Sequence, residues 1–212
     1  MYRHKAPTHN AQPSFTIKRS ALQRIPPLLH NLLADTSPPV LVALSERYGL
    51  PRVPGLNRHA LIDRLLRHLS AAELNRLADD LIAARFGGLS TEALLAAALE
   101  HDARRAASRG SQVRPRMDQV SPDDAVLLER RGRRWSYTMR GHDVTIDLEA
   151  RTLACDCQFF SFAARRHALC KHIAMAFSLI PVTYARDALI DLLVWREYGT
   201  VEMPGWRFIS SQ

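Results

Sequence analysis

Residues 155–172 decide the fold of the C-terminal part of the chain, and they read CDCQFFSFAARRHALCKH. This stretch holds every cysteine of the protein, Cys155, Cys157 and Cys170, and His172 follows two places after the last of them. Thiolate and imidazole are the ligands that Zn²⁺ prefers, and four such ligands complete a tetrahedral site. A closed four-ligand site leaves no position for a substrate or a reactive water, so the pattern predicts a structural zinc ion.

Three other roles for the cysteines fit the sequence less well. Cysteines that serve only as buried core residues usually scatter along a chain, whereas these three lie close together. A disulfide would leave one thiol over, and the chain shows no secretory signal. A catalytic thiol needs one nucleophile beside a base, not a close pair of cysteines. Ligand count and spacing therefore favour zinc.

The residues around the array predict a small folded module. Residues 135–139 and 144–148 alternate bulky and small or polar side chains, as half-buried strands do, and the turn candidate 141–143 joins them into a hairpin. Residues 152–155 read as a further strand that ends on the first ligand. From Cys170 onward the sequence predicts an apolar helix, whose positive N-terminal end favours a thiolate.

A C-x-C-x₁₂-C-x-H array that follows a hairpin and opens an apolar helix resembles a SWIM zinc finger, over residues 133–180. His167 lies between the cysteines, but the C-x-H spacing of the family favours His172. SWIM fingers occur in chromatin-remodelling ATPases, Mutator-like transposases and recombination-mediator subunits, and the family is associated with DNA binding and with protein–protein contacts. The resemblance implies zinc ligation by Cys155, Cys157, Cys170 and His172.

The charge balance points to an anionic partner. The formal net charge is +8 and the sequence pI is about 10.0, and nucleic acid is the commonest partner of such a basic chain. Of the 29 basic residues only Lys5, Lys18 and Lys171 are lysines. The arginine guanidinium group forms bidentate hydrogen bonds with phosphates and base edges, so nucleic-acid binding would explain the high arginine content. A GC-rich genome would enrich arginine as well, and both explanations stay open.

The first 19 residues predict a mobile basic arm. They hold little apolar surface to bury, and residues 1–34 contain no acid. The arm has no apolar stretch of the signal-peptide type, and no segment reaches the roughly twenty apolar residues that a membrane span needs. We therefore expect a cytoplasmic protein without membrane contact, associated with the nucleoid if it binds DNA.

Residues 20–100 predict a helical domain, and the part from 40 to 69 resembles a SAP domain, a helix–extension–helix DNA-binding unit. The link departs from the SAP pattern because its glycine sits one place early, and Arg58 takes the usual lysine position. The resemblance implies that Arg58 meets DNA phosphate with Arg52 and Arg64 nearby. A generic helical hairpin with solvated arginines is the alternative. Further along, Ser70 and Glu73 have the spacing of a capping box.

Residues 101–120 predict a basic linker, which either lies along a phosphate backbone or is merely solvated. The second domain then spans residues 121–212.

The aromatic loop of this domain, residues 158–162, suggests core packing more than stacking on bases. Some of its cations also balance the net charge of −1 on a zinc ion with three thiolates. The nucleic-acid contacts predicted for this domain are Arg130, Arg131, Arg133, Arg134, Arg165, Arg166 and Lys171.

Enzymatic function is not expected. No glycine precedes a lysine, which excludes the G-K-[ST] phosphate loop of an ATPase. Neither a G-x-S-x-G elbow nor an H-E-x-x-H motif occurs, and the 21 acids are dispersed.

The sequence thus predicts an α+β protein with an N-terminal helical, SAP-like domain and a C-terminal ββα zinc-finger module with flanking helices. Two functions fit this organisation. The first is a non-enzymatic DNA-binding accessory protein of DNA repair, recombination or the nucleoid. The second is an adaptor that docks on a recombinase or a remodelling ATPase, which an exposed apolar patch around Leu189, Leu193 and Trp195 would favour.

Overall fold

The structure is a computed structural model that describes residues 25–107, 120–199 and 205–210. The predicted N-terminal arm, residues 1–19, and most of the predicted linker lie outside these ranges. The described chain is α+β, as predicted. The helices of its first half are α1 Ile25–Ala34, α2 Pro38–Arg47, α3 Arg58–His68, α4 Ala71–Phe86 and α5 Thr91–Ala107.

Helix α4 begins at the predicted capping box. The Ser70 hydroxyl accepts the Glu73 N–H at 3.4 Å, and the Glu73 carboxylate accepts the Ser70 N–H at 2.8 Å. These two bonds satisfy amide groups that a helix N-terminus otherwise leaves without partners. Helices α1 to α4 enclose their own apolar cluster, built around Leu29, Leu65 and Leu77.

The second half is built on a five-stranded sheet in the order β1-β2-β3-β4-β5. The first four strands pair antiparallel, and β5 pairs parallel with β4. A short 3₁₀ turn, Pro122–Asp124, precedes the first strand. The strands are β1 Ala125–Arg131, β2 Arg134–Met139, β3 His142–Asp147, β4 Thr152–Cys155 and β5 Arg207–Ser210.

Strands β2 and β3 form the hairpin that the sequence predicted. Its turn begins one residue earlier than expected. Arg140 and Gly141 both have positive φ, of 49° and 77°, so they form the two-residue loop and His142 already belongs to β3. Strands β1 and β5 were not predicted. Residues of β1 lack a simple alternation because the ladder to β2 carries a bulge between Leu127 and Glu129.

Three helices complete this half: α6 Gln158–Ala164, α7 Lys171–Leu179 and α8 Val182–Tyr198. The prediction of a loop at residues 158–162 was wrong, because this segment forms α6. The apolar residues of α8 that would favour an adaptor if they were exposed do not form a surface patch. Leu189 and Leu193 are fully buried and Trp195 packs partly buried against the same core.

The two halves share one hydrophobic core. Apolar residues of α1, α4 and α5, among them Leu32, Phe86 and Leu94, belong to the same buried cluster as Trp135 of the sheet and Leu192 of α8. Residues 101–107, predicted to begin the linker, form the last turns of α5, which packs beside α8. The helical part therefore supports the sheet module directly.

A buried ion pair joins α5 to α8. The Asp102 and Arg196 side chains are 7% and 1% exposed, and their Oδ1 and Nη1 atoms lie 3.1 Å apart. The other Asp102 oxygen, Oδ2, accepts the Leu169 N–H at 2.9 Å, and Arg196 donates to the Ala98 carbonyl at 3.3 Å. These bonds compensate part of the cost of taking both charges out of water.

In the described part of the chain, no single helix is long and apolar enough to cross a membrane. Helix α4 and residues 91–104 pass that test only together, as a pair bent by 94°.

We predict that Asp102→Ala lowers the free energy of unfolding by about 3–5 kcal/mol, because it leaves the buried Arg196 guanidinium without its carboxylate. The control is Asp63→Ala, which removes the exposed partner of Arg67 on α3 and is expected to cost less than about 0.5 kcal/mol. Urea denaturation followed by circular dichroism measures both values. Equal losses in the two variants would contradict a structural role for the buried pair.

Candidate metal centre

The four predicted ligands come from three elements that meet at one end of the sheet. Cys155 is the last residue of β4, and Cys157 is the N-cap of α6. Cys170 is the N-cap of α7, and His172 is the second residue of that helix. All four side chains are buried, so the hydrophobic core encloses the site on the protein side.

The arrangement of these side chains fits a zinc ion. Their ligand atoms all lie within 4.8 Å of one another, and Cys155 Sγ is 3.8 Å from His172 Nδ1. A tetrahedral site with Zn–S bonds of about 2.3 Å separates its ligand atoms by about 3.5–3.8 Å. The three cysteines form no disulfide. Among the described residues this is the one cluster of histidines, cysteines or acids that can hold a metal.

Backbone amides stabilise negative charge on the sulfurs. The Cys157 N–H donates to Cys155 Sγ at 3.5 Å, and the Ile173 N–H donates to Cys170 Sγ at 3.4 Å. The second bond lies at the N-terminus of α7, where the helix dipole also favours a thiolate.

Without a metal, the three thiols share their negative charge unequally. A hydrogen bond with Cys157 raises the pKa of Cys155 to about 12, and the same bond lowers the pKa of Cys157. Burial raises the pKa of Cys170. Both upward shifts favour the protonated thiol, so zinc must displace protons to be held by three thiolates.

A further set of polar contacts, which was not predicted from the sequence, holds the Cys155–Cys157 turn. Asp156 Oδ1 lies 3.2 Å from His142 Nδ1 and accepts the Asp143 N–H at 3.0 Å. The His142 ring packs on the ring of His172, with centroids 4.8 Å apart. Asp156 and His142 thus fix the turn and one ligand ring relative to β3. The only sequence signal was the position of Asp156 between two ligands.

His167, the competing candidate ligand, does not belong to this cluster. It is exposed, has a positive φ of 55°, and its ring contacts Trp195 and Phe208 at centroid distances of 5.1 and 5.4 Å. The helical part reaches the site instead through Asp102, which holds the amide of Leu169, the residue before Cys170.

The predicted nucleic-acid contacts of the module fall into two groups. Arg130, Arg131 and Arg134 are exposed at the tip of the β1–β2 hairpin. Arg165 and Arg166 are exposed directly after α6.

Arg133 and Lys171 differ from these two groups. Arg133 is half-buried and lies over the Tyr184 ring, 5.3 Å from its centroid, so its guanidinium already packs against the protein. Lys171 is half-buried between two ligands, as the first residue of α7.

The nucleic-acid contacts predicted for the helical part lie at two places. Arg52 and Arg64 line one groove beside the extended link 51–56, and Arg58 is the first residue of α3. The helix, link and second helix expected at 40–69 are present. The resemblance of this segment to a SAP domain stays a prediction.

Residues 142–181 match the sequence profile of the SWIM zinc finger family. The matched segment contains all four ligands, so the predictions of a SWIM finger and of zinc as its cofactor are confirmed. Neither the search of curated proteins nor the search of solved structures found a significant match.

We predict that Cys170→Ala and His172→Ala each lose the bound zinc, about one ion per chain in the parent protein, and unfold the sheet module, because structural zinc supplies folding free energy. Elemental analysis and hydrogen exchange of β2 to β4 measure the two effects. The matched control is His167→Asn, since asparagine tolerates a positive φ. Zinc lost from the control, or retained by the Cys170 variant, would show that the ligands are assigned wrongly.

Proposed function

We propose that this chain is a zinc-stabilised, non-enzymatic DNA-binding protein whose contacts are mostly to phosphates. The observation that carries the proposal is the arginine cluster at the β1–β2 turn, where Arg130, Arg131 and Arg134 surround Gly132. Arg131 lies directly opposite Arg134 in the ladder. Like charges at facing positions destabilise a sheet, and an anionic partner would relieve their repulsion.

Acidic side chains of the described residues form no salt bridge with this arginine cluster, although Asp147 lies opposite Arg134 in the β2–β3 ladder. In residues 25–107, 120–199 and 205–210, none of the three arginines forms a salt bridge, whereas Arg47, Arg67 and Arg140 are each paired with an aspartate. An unpaired guanidinium on a rigid hairpin is available to a phosphate, and each such contact releases counterions from the nucleic acid. This difference among arginines supports the proposal more directly than the net charge does.

The helical part offers a second set of contacts. Arg52 and Arg64 share a groove, and Arg58 begins α3, where the helix dipole adds positive potential. We propose that this part, read as SAP-like, binds the same nucleic acid as the finger. Because the two halves share a core, they would present their arginines in a fixed arrangement, which reduces the entropy lost on binding. A place in DNA repair, recombination or the nucleoid, in the cytoplasm, fits such an accessory protein.

We predict that replacing Arg130, Arg131 and Arg134 together by glutamine weakens DNA binding and reduces the slope of log affinity against log salt by about 2–3, because about three phosphate contacts are lost. Fluorescence anisotropy with a labelled duplex across a salt series gives both values.

The control replaces Arg47, Arg67 and Arg140 by glutamine, which changes the net charge equally but removes arginines that are already paired. If both triple variants shift affinity and slope alike, the hairpin is not a specific contact. If the parent protein does not bind at low salt, the DNA-binding proposal itself is wrong.

One exposed apolar surface, which lies on β1 and not on α8, favours the alternative of an adaptor for a recombinase or remodelling ATPase. Val126, Leu127 and Leu128 of β1 are 52–61% exposed, and in the described residues β1 pairs only with β2. An exposed apolar edge strand is a site where another chain can add a strand.

Glutamine at these three positions tests the adaptor function without changing the charge. We predict that DNA affinity is unchanged within about two-fold if the primary proposal holds, because no phosphate contact is removed. Loss of binding to a purified recombinase or remodelling ATPase, with DNA affinity intact, would favour the adaptor. Val40→Gln, an exposed apolar position on α2, is the control.

A further inference from the structure

Helix α6 carries three phenylalanines with different surroundings. Phe160 is fully buried and stacks on Phe208, with ring centroids 6.1 Å apart, and Phe159 packs partly buried against the core. Phe162 is 65% exposed. Core packing, the role expected for the aromatic segment 158–162, holds for two of its three rings.

The exposed ring is held in place because its helix is anchored at its start and in its middle. Helix α6 begins directly after the ligand Cys157, and Phe160 anchors its middle in the core. Rotating the helix to bury Phe162 would expose Phe160 and displace a zinc ligand, so the fold keeps Phe162 in solvent. A single exposed apolar side chain needs no explanation by itself, and the inference depends on what lies beside it.

Two unpaired cations follow Phe162 at helical spacing. Arg165 is three residues further on, its backbone is still helical with φ −63° and ψ −19°, and it therefore shares a face with Phe162. Arg166 follows, and both arginines are exposed and form no salt bridge with any acid of the described residues. The sequence from 157 to 186 contains no aspartate or glutamate. An aromatic ring and two guanidiniums thus share a surface without acidic side chains from their own segment.

We infer that Phe162, Arg165 and Arg166 form a binding site for single-stranded nucleic acid, in which an unpaired base stacks on the Phe162 ring and the arginines hold the adjacent phosphates. Every base has a flat face, so stacking on an aromatic ring is tolerant of sequence. Bases inside a duplex are already stacked on their neighbours and do not reach such a ring. The inference rests on the proposed function and deepens it, because it specifies a preference for unpaired strands at the finger.

Phe162→Ala tests the site in the zinc-loaded full chain, with a labelled oligothymidine and a labelled duplex of equal length as probes. We expect the affinity for oligothymidine to fall by about 5- to 150-fold, because stacking on an aromatic ring contributes about 1–3 kcal/mol per base. The affinity for the duplex should change by less than about two-fold. Val182→Ala, which removes an apolar side chain that is 67% exposed on α8, should leave both affinities unchanged.

Phe162→Trp adds a direct readout of stacking. The added indole should retain the affinity for oligothymidine, and its fluorescence, after subtraction of the parent protein's signal, should be quenched on binding. Unchanged oligothymidine affinity in Phe162→Ala would overturn the stacking site while leaving the hairpin arginines as the DNA contact. Equal losses for the single strand and the duplex would overturn it as well. If the parent protein binds neither probe, the site and the proposed function fail together.

Discussion

The convergence of three thiolates and one imidazole on a single metal position is the constraint on which the module depends. Cys155 ends a strand, while Cys157 and Cys170 each cap a helix, so one ion fixes the relative positions of β4, α6 and α7. Burial raises the pKa of the Cys170 thiol, and a hydrogen bond with Cys157 raises the pKa of the Cys155 thiol, so both thiols favour their protonated forms. A divalent cation replaces those protons and turns the buried polar cluster into a stable cross-link.

The rest of the molecule supports this cross-link from outside. Asp156 and His142 tie the first ligand pair to β3, and Asp102 of the helical part holds the chain just before Cys170. The zinc module is therefore not an independent domain joined to the helical part only by a linker. Its α8 lies in a core shared with α1, α4 and α5, and this shared core adds buried apolar surface to a small module.

The zinc ligands could be predicted from the sequence because ligand chemistry and spacing are local properties of the chain. The capping box at Ser70 and the β2–β3 hairpin could be predicted from the sequence for the same reason. Helix α6 was not, because its N-cap is the ligand Cys157, which makes no side-chain capping bond, and its aromatic composition does not favour a helix. Strand β5 pairs with a strand some fifty residues earlier, and the partner of Asp102 lies on another helix; no local pattern reports such contacts.

Zinc-edge X-ray absorption of the purified, zinc-loaded protein tests the central claim most directly. A closed structural site predicts four-coordinate zinc with three sulfur ligands at about 2.3 Å and one nitrogen at about 2.0–2.1 Å. A site with fewer sulfurs and additional oxygen ligands would contradict the account, because an open position would mean that the metal does not close the module and is accessible to water or substrate.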